Sequence, residues 1–255
     1  STDLSAIFLG SITKTFTATE LFTNNISGST LKTLADQSSL SFQDLSDAGY
    51  TREQLLAAGF LWNYTLSGNN ATIGNNSTNP GNATFLGTSL SGAITIPSTI
   101  TDGGVTYNVT GIDAAAFRSS GLTSITIPDS VTTIGDFAFA YNDSLESITV
   151  EQGNVNYKTI DNVLFNFSGT ELIQYPVADS RVEYTIPDTV VSVLGRSFGI
   201  SSTISSLTKV NFPSNLQTIG SFAFRYSQID IFDFSRTQLT TIGSYGLYYS
   251  PITTS

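Results

Sequence analysis

Residues 122–142 read LTSITIPDSVTTIGDFAFAYN, and recognisable copies of this stretch lie on both sides of it. Counted from its proline, Pro128, apolar residues stand three, six and eleven positions later, at Val131, Ile134 and Phe139. Two other prolines repeat the spacing, with Val190, Val193 and Phe198 after Pro187 and Leu216, Ile219 and Phe224 after Pro213. Self-similarity of this kind predicts an array of structural repeats.

The array continues in both directions with small changes. Pro97 begins an earlier copy, in which a loop at residues 102–104 delays the later apolar positions, and Ser235 replaces the proline of the last copy. The leading leucines of two adjacent units, Leu122 and Leu145, are 23 residues apart. A period of this length falls within the leucine-rich range.

Each unit is predicted to open with a short strand. Ile125 and Ile127 should point to one side of it and Thr126 to the other, because successive strand side chains alternate. Pro128 then ends the strand, since proline has no N–H to donate to the ladder. One unit cannot cover its own apolar residues, so neighbouring units must stack. The pattern predicts an α+β solenoid over residues 61–255.

Residues 1–60 lack the repeat and are predicted to form a short helical N-terminal module. Two stretches, residues 41–44 and 51–54, fit a helix start, since each has a hydroxyl residue followed three positions later by Asp or Gln. Leu45 would turn inward, while Gly49 and Gly59 would end the two helices.

Residues 62–90 connect this module to the repeats. They read as two short extended pieces around a loop rich in Asn, Gly and Pro. We expect them to cap the array, because the first repeat would otherwise expose its apolar edge.

Two units, SITIPDSVTTIGDFAF at residues 124–139 and VNFPSNLQTIGSFAF at residues 210–224, resemble the leucine-rich repeats of the BspA type. That family occurs in bacterial surface proteins, parasitic protists and some large DNA viruses. Residues 155–176, VNYKTIDNVLFNFSGTELIQYP, resemble its longer variant unit. The resemblance covers about residues 62–255 and implies a leucine-rich repeat fold with a role in adhesion.

One departure from the family concerns cysteine, which often stands there three residues after the repeat phenylalanine. A small polar residue can still bond to turn backbone at that place, so the fold is expected to hold, but redox behaviour does not carry over. The residues found there are Ser120, Asn142, Ser201, Ser227 and Ser250.

The composition excludes several functions. The chain has 20 acidic and 10 basic residues and a formal charge of −10, which opposes binding to nucleic-acid phosphates. Cysteine and histidine are both absent, which excludes disulfides, Ser-His-Asp or Cys-His catalysis, and Cys- or His-based metal sites. No apolar run is long enough to span a membrane. We therefore predict no enzyme activity, cofactor, metal, nucleic-acid partner or membrane insertion.

The strand side chains opposite the core form the candidate binding surface, here named the strand strip. On a solenoid this face is concave, rigid and wide, and partners usually bind there. Its hydroxyls and few acids suit a protein or glycan partner, although a simply solvated sheet face has the same composition. The strip begins at Thr95, and the residues predicted to bind are Ser124, Thr126, Ser147, Thr149, Glu183, Thr185, Lys209, Asn211 and Asp233.

Three other functions find little support in the sequence. The threonines could form an ice-binding plane, but threonine is also favoured in strands. Asp230 and Asp233 could form a glycosidase pair, but their odd spacing places them on opposite strand faces. No Asp-rich turn has the spacing of a calcium loop.

Sequons for N-glycosylation are frequent in this chain. Asn70 and Asn82, in a loop rich in Asn, are predicted to carry glycans if the host adds them. Asn142 is expected to face inward instead.

The sequence as a whole predicts a non-enzymatic adhesion module acting through the strand strip, extracellular or exposed on a cell or virion surface. The alternative is a structural subunit of a filament, sheath or virion surface. In that case residues 1–60 and the uncapped repeat at Ser255 would mediate self-association.

Overall fold

A computed structural model describes residues 16–23, 25–27, 31, 34, 45, 47–50, 64–74, 92–102, 105–199, 205–230, 232–248 and 250. The chain divides into two compact units, residues 1–63 with 100–107, and residues 64–99 with 108–255. Domain limits at residues 60 and 61 stay a prediction.

In the first unit, helix α1 comprises Ala18–Thr23. Its start is a capping box: the Thr17 backbone N–H donates to Glu20 Oε2 at 2.8 Å, and the Glu20 N–H donates to Thr17 Oγ1 at 3.2 Å. Leu21 is buried on its inner face. The predicted helix starts at residues 41–44 and 51–54 lie outside the described residues, as does Gly59.

Leu45 and Gly49 match their predicted roles. Leu45 is helical and fully buried. Gly49 has a φ of +111°, and the Tyr50 N–H reaches back to the Leu45 carbonyl at 3.2 Å. A left-handed glycine followed by such a bond is a common helix end. The Tyr50 ring then packs edge-on against Phe22, with centroids 5.1 Å apart.

The second unit begins with a hairpin. Strands β1, Tyr64–Ser67, and β2, Asn70–Ile73, pair antiparallel across a turn in which Gly68 has a φ of +59°. Both of these strands precede the Asn-rich loop, and the extended piece that the sequence predicted after the loop lies outside the described residues. Residues 75–91 lie outside the described part of the chain.

Most repeats contribute a strand, and several a second short strand after their proline. The first type comprises β3 Gly92–Thr95, β6 Leu122–Ile127, β8 Ser147–Val150, β12 Glu183–Thr185 and β14 Lys209–Asn211. The second comprises β7 Thr133–Ile134, β13 Ser192–Val193, β15 Thr218–Ile219 and β16 Thr241–Ile242, beside β4 Thr99–Asp102 and β5 Val105–Ile112. Where successive repeats pair, they pair in parallel.

The variant unit pairs differently. Strands β9 Tyr157–Ile160, β10 Val163–Asn166 and β11 Glu171–Gln174 form an antiparallel meander. Its first turn holds Asp161 and Asn162 at φ of 50° and 67°, as a two-residue hairpin requires. Only β11 joins the next repeat, by parallel pairing with β13.

The apolar residues counted from the prolines form the core. Eight of the nine residues in the three regular copies are buried, and Ile134 is half-buried. Aromatic rings stack along this core: Tyr175 of the variant unit, then Phe198 and Phe224, follow one another at centroid distances of 4.8 and 4.7 Å. In the last copy Ile242 is 48% exposed, so burial weakens there.

Glycines allow the short strands to approach closely. A Cβ on Gly135, Gly220 or Gly243 would meet backbone atoms of the preceding repeat, at Ala114, Gly195 and Ser221. The repeat spacing along the array therefore depends on the absence of a side chain at this position.

Asn142 occupies one of the positions where the family often has cysteine, and its amide links two repeats. Its Oδ1 accepts the backbone N–H groups of Ser120 and Leu122, at 3.0 and 3.2 Å. Its Nδ2 donates to the carbonyls of Phe117 and Phe139, at 2.7 and 2.8 Å. The side chain is buried and faces inward, as predicted.

Serine hydroxyls do the same in a later pair of repeats. Ser227 and Ser250 face each other at 3.1 Å, and Ser250 Oγ donates to the Phe224 carbonyl at 2.7 Å. Ser201 lies outside the described residues. Polar side chains thus bond the turn backbone where the family often has cysteine.

Candidate functional site

The first part of the strand strip is an in-register surface on β3, β6 and β8. Thr95, Thr126 and Thr149 stand directly beside one another, and Ser124 stands beside Ser147. The hydroxyl residues are half-buried or exposed, whereas Ile125 and Ile148 between them are buried. The two faces of these strands therefore alternate as the sequence predicts.

The second part lies on β12 and β14 and is charged. Glu183 pairs with Lys209 across the strands, and their charged groups lie 2.7 Å apart. Asn211 donates to Glu183 at 2.8 Å and to Thr185 at 2.9 Å. The hydrogen bond from Lys209, then that from Asn211, holds the pKa of Glu183 below its ordinary value. A partner at this place would have to compete with these contacts.

The two parts belong to different sheets. Strands β3, β6 and β8 form a three-stranded sheet, and β12 pairs with β14 alone. The variant unit occupies the chain between them. The predicted strip residues are therefore neighbours within each sheet, whereas the sequence predicted one continuous row across all the strands.

Asp233 belongs to none of the described strands, although its neighbours Phe232 and Phe234 pack on Phe212, the residue that follows β14. Residues 232–234 have no strand pairing, and the Asp233 carboxylate accepts the Ser235 N–H at 2.9 Å. Hydrogen bonds from Ser235 keep the pKa of Asp233 below its usual range. Its neighbour Ile231 lies outside the described residues.

The predicted glycosylation sites have different settings. Asn70 is the exposed first residue of β2 and stands beside Asn108, not in a loop. Asn82 lies outside the described residues. The side-chain amides of Asn142 and Asn166 make hydrogen bonds within the protein, and Asn166 donates to Thr170 Oγ1 at 3.0 Å. Both amides therefore contribute to the fold.

A second surface lies at the turn that follows each short strand, and we name its central row the Arg-aromatic ladder: Phe137, Arg196, Phe222 and Tyr245. The Arg196 guanidinium carbon stands 4.2 Å from the Phe137 ring centre and 5.0 Å from that of Phe222. Phe222 then stacks on Tyr245, with centroids 5.2 Å apart and planes 16° from parallel.

All four residues share one backbone conformation. Their φ angles are 60°, 61°, 60° and 59°, in the left-handed region that bulky residues rarely adopt. Because each repeat turns in the same way, the side chains are placed one above the next.

Two further arginines flank the ladder. Arg118 lies over the Tyr141 ring at 5.1 Å. Arg225 lies over Phe222 and Tyr226, and its Nη1 donates to the Tyr141 hydroxyl at 3.1 Å. Three of the ten basic residues of an acidic chain therefore gather at one place.

The charge of Arg196 is poorly compensated. Its Nε and Nη1, and the Nε of Arg225, are buried with no hydrogen-bond partner among the described residues. Burial lowers the pKa of Arg196; the neighbouring Tyr141 acts in the opposite direction, and the positive charges of Arg118 and Arg225 lower it further.

A cavity of about 130 Å³ lies beside the ladder, at the end of the variant unit. Phe137 and Gly195 line it together with Asp136, Glu171 and Tyr157. Here the row of short strands is interrupted, and the Ile134 N–H donates to the Tyr157 hydroxyl at 2.9 Å in place of a strand partner. No group of three metal-ligating residues occurs in the described part of the chain.

The ladder is a functional candidate that the sequence analysis missed. Its signal was present, since Phe137, Arg196 and Phe222 each stand nine residues after a repeat proline. The pattern is hard to see in the sequence because an arginine replaces the aromatic residue in the second of these three copies.

Among the described residues, no helix is both long and apolar enough to cross a membrane. A comparison with curated protein sequences finds no match. Solved structures do show similarity, among them bacterial leucine-rich repeat proteins.

A leucine-rich repeat protein from Eubacterium ventriosum is 30% identical, with a TM-score of 0.49, over 60% of this chain and 38% of that one. A leucine rich cell surface protein from Faecalibacterium prausnitzii is 24% identical, with a TM-score of 0.43, over 76% of this chain and 52% of that one. A third, from Bacteroides ovatus, is 20% identical, with a TM-score of 0.40, over 75% of this chain and 56% of that one. The chain thus spans well under two thirds of each.

The family comparison is more extensive. A model described as a BspA type leucine rich repeat region matches residues 104–178 and 179–254, with six copies. The matched residues include the proline-spaced core, the variant unit and the Asn142 position. With more than half of its residues matched, the chain belongs to the BspA-type leucine-rich repeat family.

Proposed function

We propose that this protein is a non-enzymatic binding module with an adhesive role, which recognises a protein or glycan partner through the strand strip. In this proposal the repeats wind as a solenoid with the strip on its concave side, and residues 1–60 form a helical module. The chain acts outside the cell, on a cell surface or on a virion surface. Any glycans are carried at Asn70 and Asn82.

The observation that supports this function most is the row of hydroxyl residues on β3, β6 and β8. Thr95, Thr126 and Thr149 stand at adjacent strand positions with buried isoleucines behind them. Side chains on a paired sheet are held in place, so little conformational entropy is lost when a partner binds. No group of three or more metal-ligating residues occurs among the described residues.

The experiment measures adhesion of the full chain, coupled to beads, to a surface coated with mucin glycoprotein. A Thr126→Arg/Thr149→Arg variant places two bulky cations on the strip and should reduce bead retention about tenfold. Thr241→Arg is the control, because Thr241 is an exposed strand threonine of another sheet. Equal retention of all three proteins would contradict adhesion through the strip.

The structural alternative has a different outcome in solution. If the chain is a subunit of a filament or sheath, its elution volume in size-exclusion chromatography should fall as its concentration rises. A concentration-independent monomer that adheres to mucin supports the binding module.

A further inference from the structure

The turns after the short strands are joined by a repeated pair of backbone hydrogen bonds. Two N–H groups of one turn, two residues apart, donate to two carbonyls of the turn in the next repeat. The bonds run from Ala115 to Asp136 and from Phe117 to Ala138, from Arg196 to Ser221 and from Phe198 to Ala223, and from Phe222 to Ser244 and from Phe224 to Gly246, at 2.7–3.1 Å.

The turn that precedes the variant unit lacks this pair of bonds. The N–H groups of Phe137 and Phe139 stand at the same positions, but neither donates to an acceptor in the described part of the chain. Phe139 is only 2% exposed, and an unpaired backbone N–H in such a place is rare and unfavourable. Because the equivalent groups of the other turns point towards the next repeat, these two point that way as well.

The cavity of about 130 Å³ lies on that side of the turn. Phe137 and Phe139 line it from one repeat, and Leu194 and Gly195 line it from the next regular repeat. The cavity therefore lies where the carbonyls of a regular turn would otherwise stand. Its volume is large enough for several water molecules, so it is more than a packing defect.

The lining of the cavity is acidic. Asp136 and Glu171 line it, both residues are exposed, and the lining includes no lysine or arginine. Neither carboxylate forms an ion pair with any residue that the structure describes. Burial and the groups around it, not these two carboxylates, shift the pKa of Arg196. In a chain with a formal charge of −10, this cavity should attract a basic partner.

We propose that this cavity binds a basic peptide segment of a partner protein. Two main-chain carbonyls of the peptide, two residues apart, accept the N–H groups of Phe137 and Phe139, as the carbonyls of the next turn do in the regular repeats. A Lys or Arg side chain of the peptide meets the carboxylates of Asp136 and Glu171. In peptide recognition of this kind, main-chain hydrogen bonds supply affinity and side-chain contacts supply specificity.

The site is separate from the strand strip. Its residues lie in the turn after β7 and on β11, whereas Thr126 and Thr149 lie on β6 and β8. Failure of peptide binding at the cavity would therefore leave adhesion through the strip untouched.

The test is an NMR titration of the full, isotope-labelled chain with the synthetic peptide acetyl-Gly-Ser-Lys-Gly-amide. Its length is that of the turn at residues 243–246, which reads Gly-Ser-Tyr-Gly. The amide signals of Phe137 and Phe139 should shift. The peptide should bind about fivefold more tightly than its Gln analogue, and added salt should reduce this difference.

Three outcomes would overturn the proposal. The first is the absence of a shift at the Phe137 and Phe139 amides. The second is equal binding of the Glu analogue of the peptide, which would show that the carboxylates do not select a cation. The third is equal binding of butylamine, which would identify a small amine as the ligand instead of a peptide.

Two double variants locate the binding. Asp136→Asn with Glu171→Gln should reduce the affinity for the Lys peptide to that for the Gln analogue. Both residues are exposed, and glutamine keeps an oxygen that can accept the hydrogen bond from Asn166. Asp129→Asn with Asp188→Asn is the matched control, because it removes two charges at exposed positions after repeat prolines, outside the cavity. Equal affinity of the two double variants would place the peptide elsewhere and refute the site.

Discussion

At the scale of single residues, buried amide side chains hold neighbouring repeats together. Asn142 makes four hydrogen bonds to backbone groups of two repeats. Asn154 has a similar role, donating to the Pro128 and Val131 carbonyls at 3.0 Å and accepting two N–H groups. Each satisfies backbone groups that the turns leave without a strand partner.

Replacing Asn142 by alanine should strongly destabilise the protein. The change leaves two N–H groups and two carbonyls without their partner, at a cost of roughly 1–3 kcal/mol for each group that water cannot reach. We expect a total loss of about 3 kcal/mol in the free energy of unfolding, measured by urea denaturation. Asn215→Ala is the matched control, because exposed Asn215 makes one such bond, to the Asp188 carbonyl. Similar losses in both variants would contradict the linking role of Asn142.

The second prediction at this scale concerns Asp179. Burial alone would raise the pKa of its carboxyl, but hydrogen bonds from Arg181, which include two side-chain contacts of 2.8 Å, outweigh burial and lower it. A lowered folded-state pKa adds stability above the unfolded-state pKa, and this stability is lost as the pH falls through the folded-state value.

Asp179→Asn should therefore cost more at neutral pH than in acid. The difference in free energy of unfolding between the natural protein and the variant should be largest near about pH 7 and should shrink below about pH 4. Urea denaturation at several pH values measures it. A difference that does not change with pH would show that the Asp179 charge adds nothing.

At the scale of elements, the variant unit interrupts the row of short strands. Strand β7 pairs with β5 on one side, and β11 pairs with β13 on the other. Between β7 and β11, the Tyr157 hydroxyl accepts the Ile134 N–H. A side-chain oxygen thus accepts the hydrogen bond that the carbonyl of a neighbouring strand would otherwise accept.

Tyr157→Phe tests the hydrogen bond from the Ile134 N–H to the Tyr157 hydroxyl. The variant keeps the ring and removes the acceptor, so the stability should fall by about 1–2 kcal/mol. Hydrogen exchange of the Ile134 amide should accelerate, while amides in β13 should change less. Tyr245→Phe is the control, because Tyr245 is 59% exposed and loss of its hydroxyl should have a small effect. Unchanged exchange at Ile134 would contradict the bond.

The sequence predicted the regular elements better than their connections. Spacing from Pro128, Pro187 and Pro213 identified buried residues because every repeat buries the same positions. Strand partners, by contrast, depend on residues far apart in the chain. The separation of the strand strip into two sheets could not be read from alternation within one strand. Helix α1 was missed although Thr17 and Glu20 form a capping box, because the residues before them have an irregular pattern.

For the candidate sites, too, the sequence predicted what lies on one strand better than what depends on several repeats. Alternation correctly placed Thr126 and Thr149 opposite the core. The Arg-aromatic ladder arises from stacking of turns of different composition, so its members are recognisable only once the repeats are aligned on each other. Asp233 was placed on a strand by its position in the repeat; it lies outside the described strands, and its carboxylate accepts the Ser235 N–H where the following turn begins.

At the scale of the whole molecule, buried tyrosines make the fold sensitive to alkali. Burial raises the pKa of Tyr50 and of Tyr175 to about 12, and it also raises that of Tyr184. A raised folded-state pKa means that the stability is complete below the unfolded-state value of 10.0 and falls as the pH rises towards about 12.

We therefore expect the free energy of unfolding to be constant up to about pH 9 and to decrease steadily above about pH 10. Urea denaturation across this range measures it, and ultraviolet absorbance of tyrosinate follows ionisation in parallel. Tyr184→Phe should reduce the slope, because one group that titrates only after unfolding is removed. A stability that stays constant to pH values near 12 would contradict this.

The interruption at Tyr157 also has a mechanical consequence. In the adhesive role proposed above, the chain bears tension between two surfaces, and stacked repeats under tension separate where the fewest backbone bonds join them. We expect that place to be the seam between β7 and β11, because a phenol oxygen there stands where a strand would supply a series of carbonyls. Pulled from its two ends in an optical trap, the molecule should lengthen in steps, with the seam opening at low load and the stacked rings of Tyr175, Phe198 and Phe224 yielding later.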